Sequence, residues 1–163
     1  MMRSTPRSQT RRRALAIGMA ALLGAAAASA APPVNTLKGG VLGGRADVAI
    51  LGYDPVAYFT AGRPVKGDPA FAFEWMGAKW LFASQSHRDL FRADPAKYAP
   101  QYGGYCAYGV SQGHLVGIEA DKFKVIGGKL YLNYDADVQA TWLEDPARYI
   151  GQADAKFETL LER

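Results

Sequence analysis

The sequence predicts an α+β fold: one small domain of antiparallel β-hairpins, each followed by short helices, with a weak internal duplication. Three observations carry this. Phe71, Phe73 and Trp75 alternate, Met76–Lys79 turns, and Trp80 and Phe82 alternate again, the pattern of a hairpin with an aromatic face. Lys122–Ile126 and Lys129–Tyr134 flank Gly127-Gly128 as a second hairpin. Asp94-Pro95-Ala96-Lys97-Tyr98 returns as Asp145-Pro146-Ala147-Arg148-Tyr149, with Phe91 and Trp142 in matching places before each Asp-Pro. Two superposable halves are therefore expected, residues 71–98 and 122–149, a unit too short for a solenoid.

In chain order, Val48-Ala49-Ile50-Leu51 reads as a short apolar strand ended by Gly52. Asp54-Pro55 is an N-cap with proline in the first helical position, and the turn of helix Val56–Thr60 stops at Gly62. Ser84 caps a helix over Gln85–Ala93 that turns Leu90 and Phe91 inward. Asp94 caps a second short helix, and Asp135 caps one running through Leu143. Ala153–Leu161 is amphipathic, with Phe157, Leu160 and Leu161 on one side.

Residues 1–30 do not belong to this domain. Residues 1–13 carry five arginines and no acid, Ala14–Ala28 is an Ala-rich apolar run, and Ala28-Ser29-Ala30 offers an A-x-A cleavage site, so a cleaved signal peptide is expected. A membrane anchor needs roughly 20 strongly apolar residues; no stable anchor is expected after cleavage, and the destination is the periplasm or the exterior. Thr10-Arg11-Arg12-Arg13-Ala14-Leu15 resembles a twin-arginine signal, with Ala14 in place of the usual phenylalanine. Residues 31–46 read as a flexible lead-in and 47–163 as the domain. The whole chain of 163 residues has 19 basic and 15 acidic side chains, a net +4; losing the five arginines leaves 14 against 15, a net −1. No basic patch for nucleic acid remains.

The chain has one cysteine, Cys106, inside Gln101-Tyr-Gly-Gly-Tyr-Cys-Ala-Tyr-Gly-Val-Ser-Gln-Gly-His114. It cannot form an internal disulfide, so in an oxidising compartment it is buried, ligated or used.

The stretches LGYDPVAYFTAGRPVKG, WLFASQSHRDLFRADPAKYAPQYGGYCAYGVSQG and GKLYLNYD resemble the exported proteins built on a YHS domain, over roughly Val48–Tyr149. That resemblance implies a small α+β module associated with metal binding, of a kind also attached to copper-transporting ATPases. The metal-associated versions carry cysteines, the first in a D-P-V-C motif. Here that motif is Asp54-Pro55-Val56-Ala57, and the next positions are Ala83 and His87. Some proteins of this selenoprotein-like subgroup are called selenoproteins; a selenocysteine matching Cys106 would favour redox chemistry or soft-metal ligation there.

The candidate metal ligands are Cys106, His87 and His114, with copper or zinc as the ion, because thiolate and imidazole suit soft and borderline cations. Met76, a tyrosine or a metal-handling partner would complete the set. His87 lies in the first turn of its helix, where the dipole disfavours a protonated ring; a histidine packed inward and bonded to backbone is the alternative. His114 is either a ligand or a surface-loop residue. Coordination of one ion by Cys106 and a histidine would place sulfur and nitrogen roughly 3 to 4.5 Å apart. Two further readings stand beside metal binding. Cys106 is the nucleophile of a thiol-dependent redox enzyme or peroxide scavenger that needs an external thiol, or it is the core cysteine of an interaction module without chemistry. No Ser-His-Asp spacing, phosphate loop or dinucleotide fingerprint is present.

Overall fold

Alternation and turn chemistry together produce the first hairpin. In the computed structural model, which describes residues 30–36 and 47–163, β1 (Asp68–Trp75) pairs antiparallel with β2 (Ala78–Phe82). The turn is tighter than the expected four residues. Met76 and Gly77 alone make it, at φ 49° and 74°, the doubly left-handed geometry that matches strand twist. The second hairpin, β3 (Glu119–Ile126) and β4 (Lys129–Asn133), turns through Gly127-Gly128 at φ 58° and 75°.

The caps fix the helices that follow. Ser84 accepts from the His87 N–H and starts α2 (Gln85–Ala93), counting α1 as Ala57–Thr60. Asp94 accepts from Lys97 and starts α3 (Pro95–Tyr98). After α4 (Ala107–Ser111), Asp135 starts α5 (Ala136–Glu144) and Asp145 starts α6 (Pro146–Asp154). The chain closes with α7 (Phe157–Leu161).

The duplication is residue for residue. Asp68↔Phe82, Ala72↔Leu81 and Trp75↔Ala78 reappear as Glu119↔Asn133, Phe123↔Leu132 and Ile126↔Lys129, each 51 positions later (119 against 68, 133 against 82), with the same register shift before the fifth residue of β1 and of β3. It also extends further back than the expected halves. A 3-10 turn at Ala49–Gly52 holds Ile50 and Leu51 at φ 41° and 58°; another at Gln101–Gly104 holds Tyr102 and Gly103 at 55° and 60°. Each turn leads through Tyr and a capping residue into a short helix, α1 or α4. Each capping residue donates its N–H across the fold, Asp54 to the Val65 carbonyl at 2.8 Å and Cys106 to that of Val116 at 3.2 Å.

Three local expectations are corrected. Residues 48–51 form no strand beyond one bridge from Val48 to Lys79; Ile50 donates to the Asn35 carbonyl instead and is wholly buried by the turn. Leu90 is 40% exposed, because Phe91 takes the face of α2 that meets the hairpin and a neighbour about 100° round the helix turns away. The C-terminal helix is split between α6 and α7, although Leu160 is buried as its pattern requires.

Two cores result. One gathers Trp80, Phe82, Phe91, Ile50 and Leu132; the other Tyr105, Tyr131, Trp142 and Val110. Phe91 and Trp142 hold corresponding places, both fully buried. Of the lead-in expected at 31–46, residues 31–36 are seated on the domain. Val34 and Asn35 are buried, Asn35 donates to the carbonyls of Gly103 and Gly104, and Tyr105 donates to that of Pro32. A side chain at Gly103 would collide with the Pro33 carbonyl, a Cβ falling 1.9 Å from its oxygen, so the close approach requires glycine. The proposed signal peptide, apart from Ala30, and residues 37–46 lie outside the described residues. No helix among the described residues is long and apolar enough to cross a membrane.

Candidate functional site

The two capping residues, Asp54 and Cys106, stand at corresponding points of the two repeats, and the chemistry-bearing side chains distribute around them. In the first repeat, Asp54 is wholly buried. Its Oδ1 accepts from the N–H groups of Val56 at 2.8 Å and Ala57 at 3.3 Å. Its Oδ2 accepts from Ala83 N–H at 2.8 Å and meets His87 Nδ1 at 2.6 Å. The expected helix cap is therefore also a long-range tie from α1 to α2. His87 is partly buried, with 22% of its side chain exposed, and its Nε2 lies 3.3 Å from Thr60 Oγ1. It is bonded to side chains rather than to backbone.

In the second repeat, Cys106 is wholly buried. Its Sγ accepts from Gly109 N–H at 3.3 Å and donates to Asn133 Oδ1 at 3.9 Å. Burial pushes the thiol pKa up; the main-chain N–H groups of Gly109, Tyr134 and Tyr108 pull it partly back, and the Asp135 carboxylate adds to the rise. Tyr134 N–H thus takes the place that Ala83 N–H takes at Asp54, and Val138 replaces His87. A pocket of about 260 Å³ adjoins the sulfur, lined by Tyr108, Gly109, Val116, Tyr134 and Val138.

Asn133 was not among the candidate residues. It is wholly buried and its Nδ2 has no hydrogen-bond partner among the described residues. A buried, unpaired amide N–H₂ costs about 1–3 kcal/mol, whereas the corresponding residue of the first repeat is the apolar Phe82. The signal was available: superposing the repeats sets Asn133 against Phe82, a polar residue where packing prefers an apolar one.

The expected ligands do not gather into one centre. The thiol's neighbours are the residues just named, His87 is tied to Asp54 and Thr60, and His114 is exposed in the loop after α4, its N–H held by the Gly109 carbonyl. Met76 sits half-exposed at the first hairpin turn. The three positions where the resemblance expects ligands, Ala57, Ala83 and His87, do converge, since all three bond to Asp54. Two of them are alanines. No group of three or more His, Cys, Asp or Glu is placed to hold a metal ion among the described residues, and residues 1–46 contain none of these types. The donor set therefore does not fit a resident metal held by this chain alone.

No curated protein matches the chain, and no solved structure does. The family model of the YHS domain matches residues 56–102. That stretch takes in α1, the first hairpin, α2 and α3 together with His87, and it stops short of Cys106. YHS domains are linked in general terms to metal handling, and over residues 56–102 the chain is similar to them.

Proposed function

We propose that the protein acts through Cys106 as a thiol centre for small peroxides. One observation carries the reading. The Gly109 N–H bonds to a sulfur beside a small pocket, the main-chain N–H groups of Tyr134 and Tyr108 pull its pKa down, and the buried Asn133 amide meets the same sulfur through its oxygen. Turned over, the Asn133 amide would present its unpaired N–H₂ to the sulfur. Donors aimed at the sulfur favour its thiolate, the form that attacks.

In the proposed step Sγ attacks one oxygen of a hydroperoxide. An S–O bond forms, the O–O bond breaks, and the departing alkoxide or hydroxide takes up the thiol proton. Sulfur is oxidised by two electrons to a sulfenic acid. The chain has no resolving cysteine. A small external thiol then condenses with the sulfenic acid, releasing water, and a second one displaces Cys106 as the thiol, leaving the small-molecule disulfide.

The test is treatment of the purified protein with hydrogen peroxide, a sulfenic-acid trap and intact-mass detection. Trapping at Cys106 is expected, slow near neutral pH because the thiol is held protonated, and faster as pH rises. Asn133→Leu should fold normally and, with a smaller thiolate fraction, react about tenfold more slowly. A thiol that stays unmodified in the folded protein while the unfolded chain reacts would sink the proposal.

A second reading is a transfer-type copper or zinc site in which Cys106, His87 or His114 supplies part of the donor set and a metal-handling partner supplies the rest. One observation favours it. Asp54 holds His87 Nδ1, the carboxylate–histidine arrangement that orients an imidazole for a metal on its other nitrogen. Copper titration of the wild type and of His87→Ala distinguishes it, since equal and negligible binding by both removes it. Action in the periplasm or as a secreted protein belongs to the same proposal; exported protein whose intact mass retains residues 1–30 would contradict the cleaved signal.

A further inference from the structure

A second pocket lies at the seam between the repeats, away from both capping residues. Its volume is about 340 Å³. Trp75 comes from the end of β1, Pro100 and Tyr102 from the link between repeats, and Asp154, Phe157 and Glu158 from the end of α6 and from α7. The repeat does not require it. Trp75 corresponds to Ile126 in the second hairpin, and α6 runs well past the point where α3 ends.

Its composition selects one ligand chemistry. Tyr102 and Phe157 stand at 66° with ring centroids 5.6 Å apart, two walls of a corner, and Trp75 lines the same space. Two carboxylates border these rings. Asp154 Oδ1 accepts from the Tyr102 hydroxyl at 2.8 Å, which orients it, and Glu158 is exposed one helical turn on. Neither forms an ion pair among the described residues. Lys156, between them in sequence, turns its ammonium to the Ser111 carbonyl, and Lys97 on α3 stacks its own over Tyr98. Aromatic rings attract a weakly hydrated cation through their negative faces, and unpaired carboxylates add to that attraction. A bare metal ion would find too few oxygen ligands here, and an anion would meet two like charges.

We propose that this pocket binds an organic ammonium ion of the trimethylammonium class, with Trp75, Tyr102 and Phe157 as the cage and Asp154 and Glu158 as counter-charges. It is independent of the Cys106 reading.

Calorimetric titration of the full-length protein with choline tests it, against the neutral choline analogue whose tert-butyl group replaces trimethylammonium. Choline should bind saturably, and the neutral analogue at least tenfold more weakly. Glu158→Lys, a surface change that leaves the core intact, should weaken choline about tenfold. Phe157→Leu, which keeps an apolar side chain but removes a ring, should weaken it about fivefold. Loss of affinity as salt rises is also expected. No binding at about 10 mM choline, equal binding of the neutral analogue, or indifference to Glu158→Lys would each overturn the assignment.

Discussion

Asp54 and Cys106 hold the same place in two copies of one local fold, and their surroundings differ in how completely polarity is satisfied. The Asp54 carboxylate takes four donors, two from the start of α1 and two from the start of α2. The Cys106 sulfur takes weaker main-chain bonds, adjoins a pocket, and stands beside an amide whose Nδ2 is unpaired among the described residues. A fully bonded buried carboxylate ties elements together. A sulfur beside space and an unpaired donor contributes less to stability and leaves room for chemistry. The duplicated architecture thus separates two tasks under the proposed function: one repeat keeps the polar tie, while the other carries the proposed reactive atom outside the stretch matched by the YHS model.

The largest effect should come from cutting that tie. Asp54→Ala leaves the buried main-chain N–H groups of Val56 and Ala57, the part-buried one of Ala83, and His87 without their acceptor. Removing one member of a buried charged network costs about 3–5 kcal/mol. Cys106→Ala removes one sulfur from a site that already borders a pocket, and should cost about 1–2 kcal/mol. Denaturant unfolding of both variants measures the difference. If Cys106→Ala costs as much as Asp54→Ala, the two sites are structurally equal and the division of labour fails.

The parts of this comparison that are local were legible in the sequence. Alternation gave both hairpins, and Ser84, Asp94, Asp135 and Asp145 each sit three residues before the N–H they accept from, a spacing visible without a structure. The Asp54–His87 bond joins residues 33 apart, and nothing local to either predicts it. Val48–Leu51 looked like a strand because four apolar residues suit a strand and a buried turn equally. The role of Asn133 was hidden for another reason. Its meaning comes from the contrast with Phe82, and that contrast needs the repeats set in register. Once Gly52-Tyr53-Asp54 is written above Gly104-Tyr105-Cys106, the correspondence of the two capping residues can be read from the sequence alone.

Alkaline pH sharpens the comparison at intermediate size. The Cys106 thiol is raised from its ordinary value of 9.0 by burial. In the unfolded chain it ionises at that ordinary value, so above it the unfolded state has released a proton that the folded state still holds. Stability is therefore complete below about pH 9 and falls as pH rises toward the folded value. Tyr58, Tyr102, Tyr105 and Tyr131 are also raised, but from the ordinary phenol value of 10.0. The thiol's contribution sets in about one pH unit below theirs, overlaps it above, and is worth at most about 1.4 kcal/mol over one pH unit. Cys106→Ala should lower the slope between about pH 9 and 10 and leave the tyrosine-dependent loss in place. An unchanged slope in the variant would mean the thiol ionises alike in both states, and the buried, protonated resting form would be wrong.

The smallest effects concern the hairpin turns, where the repeats differ by one side chain. Both turns have positive φ at both central residues, but Met76 occupies the place that Gly127 holds in the second. An L-residue other than Asn, Asp or Gly is strained there, and Asn-Gly is the favoured pair. Met76 is half-exposed, so Met76→Asn gives up little packing while relieving strain. It should stabilise by about 0.5–1 kcal/mol. Gly127 has no strain to relieve, and an added Cβ would meet nothing within 4 Å. Gly127→Asn therefore acts mainly by narrowing the unfolded ensemble and should gain less, about 0.4 kcal/mol. Thermal unfolding of the two variants ranks them. A loss in Met76→Asn would show that the methionine makes a contact the fold depends on, and the first hairpin would then be held by its tip as well as by its aromatic face. A larger gain at Gly127 than at Met76 would place the greater conformational cost in the second repeat, where the glycine pair leaves the unfolded turn freest and the hairpin leads directly to Asn133.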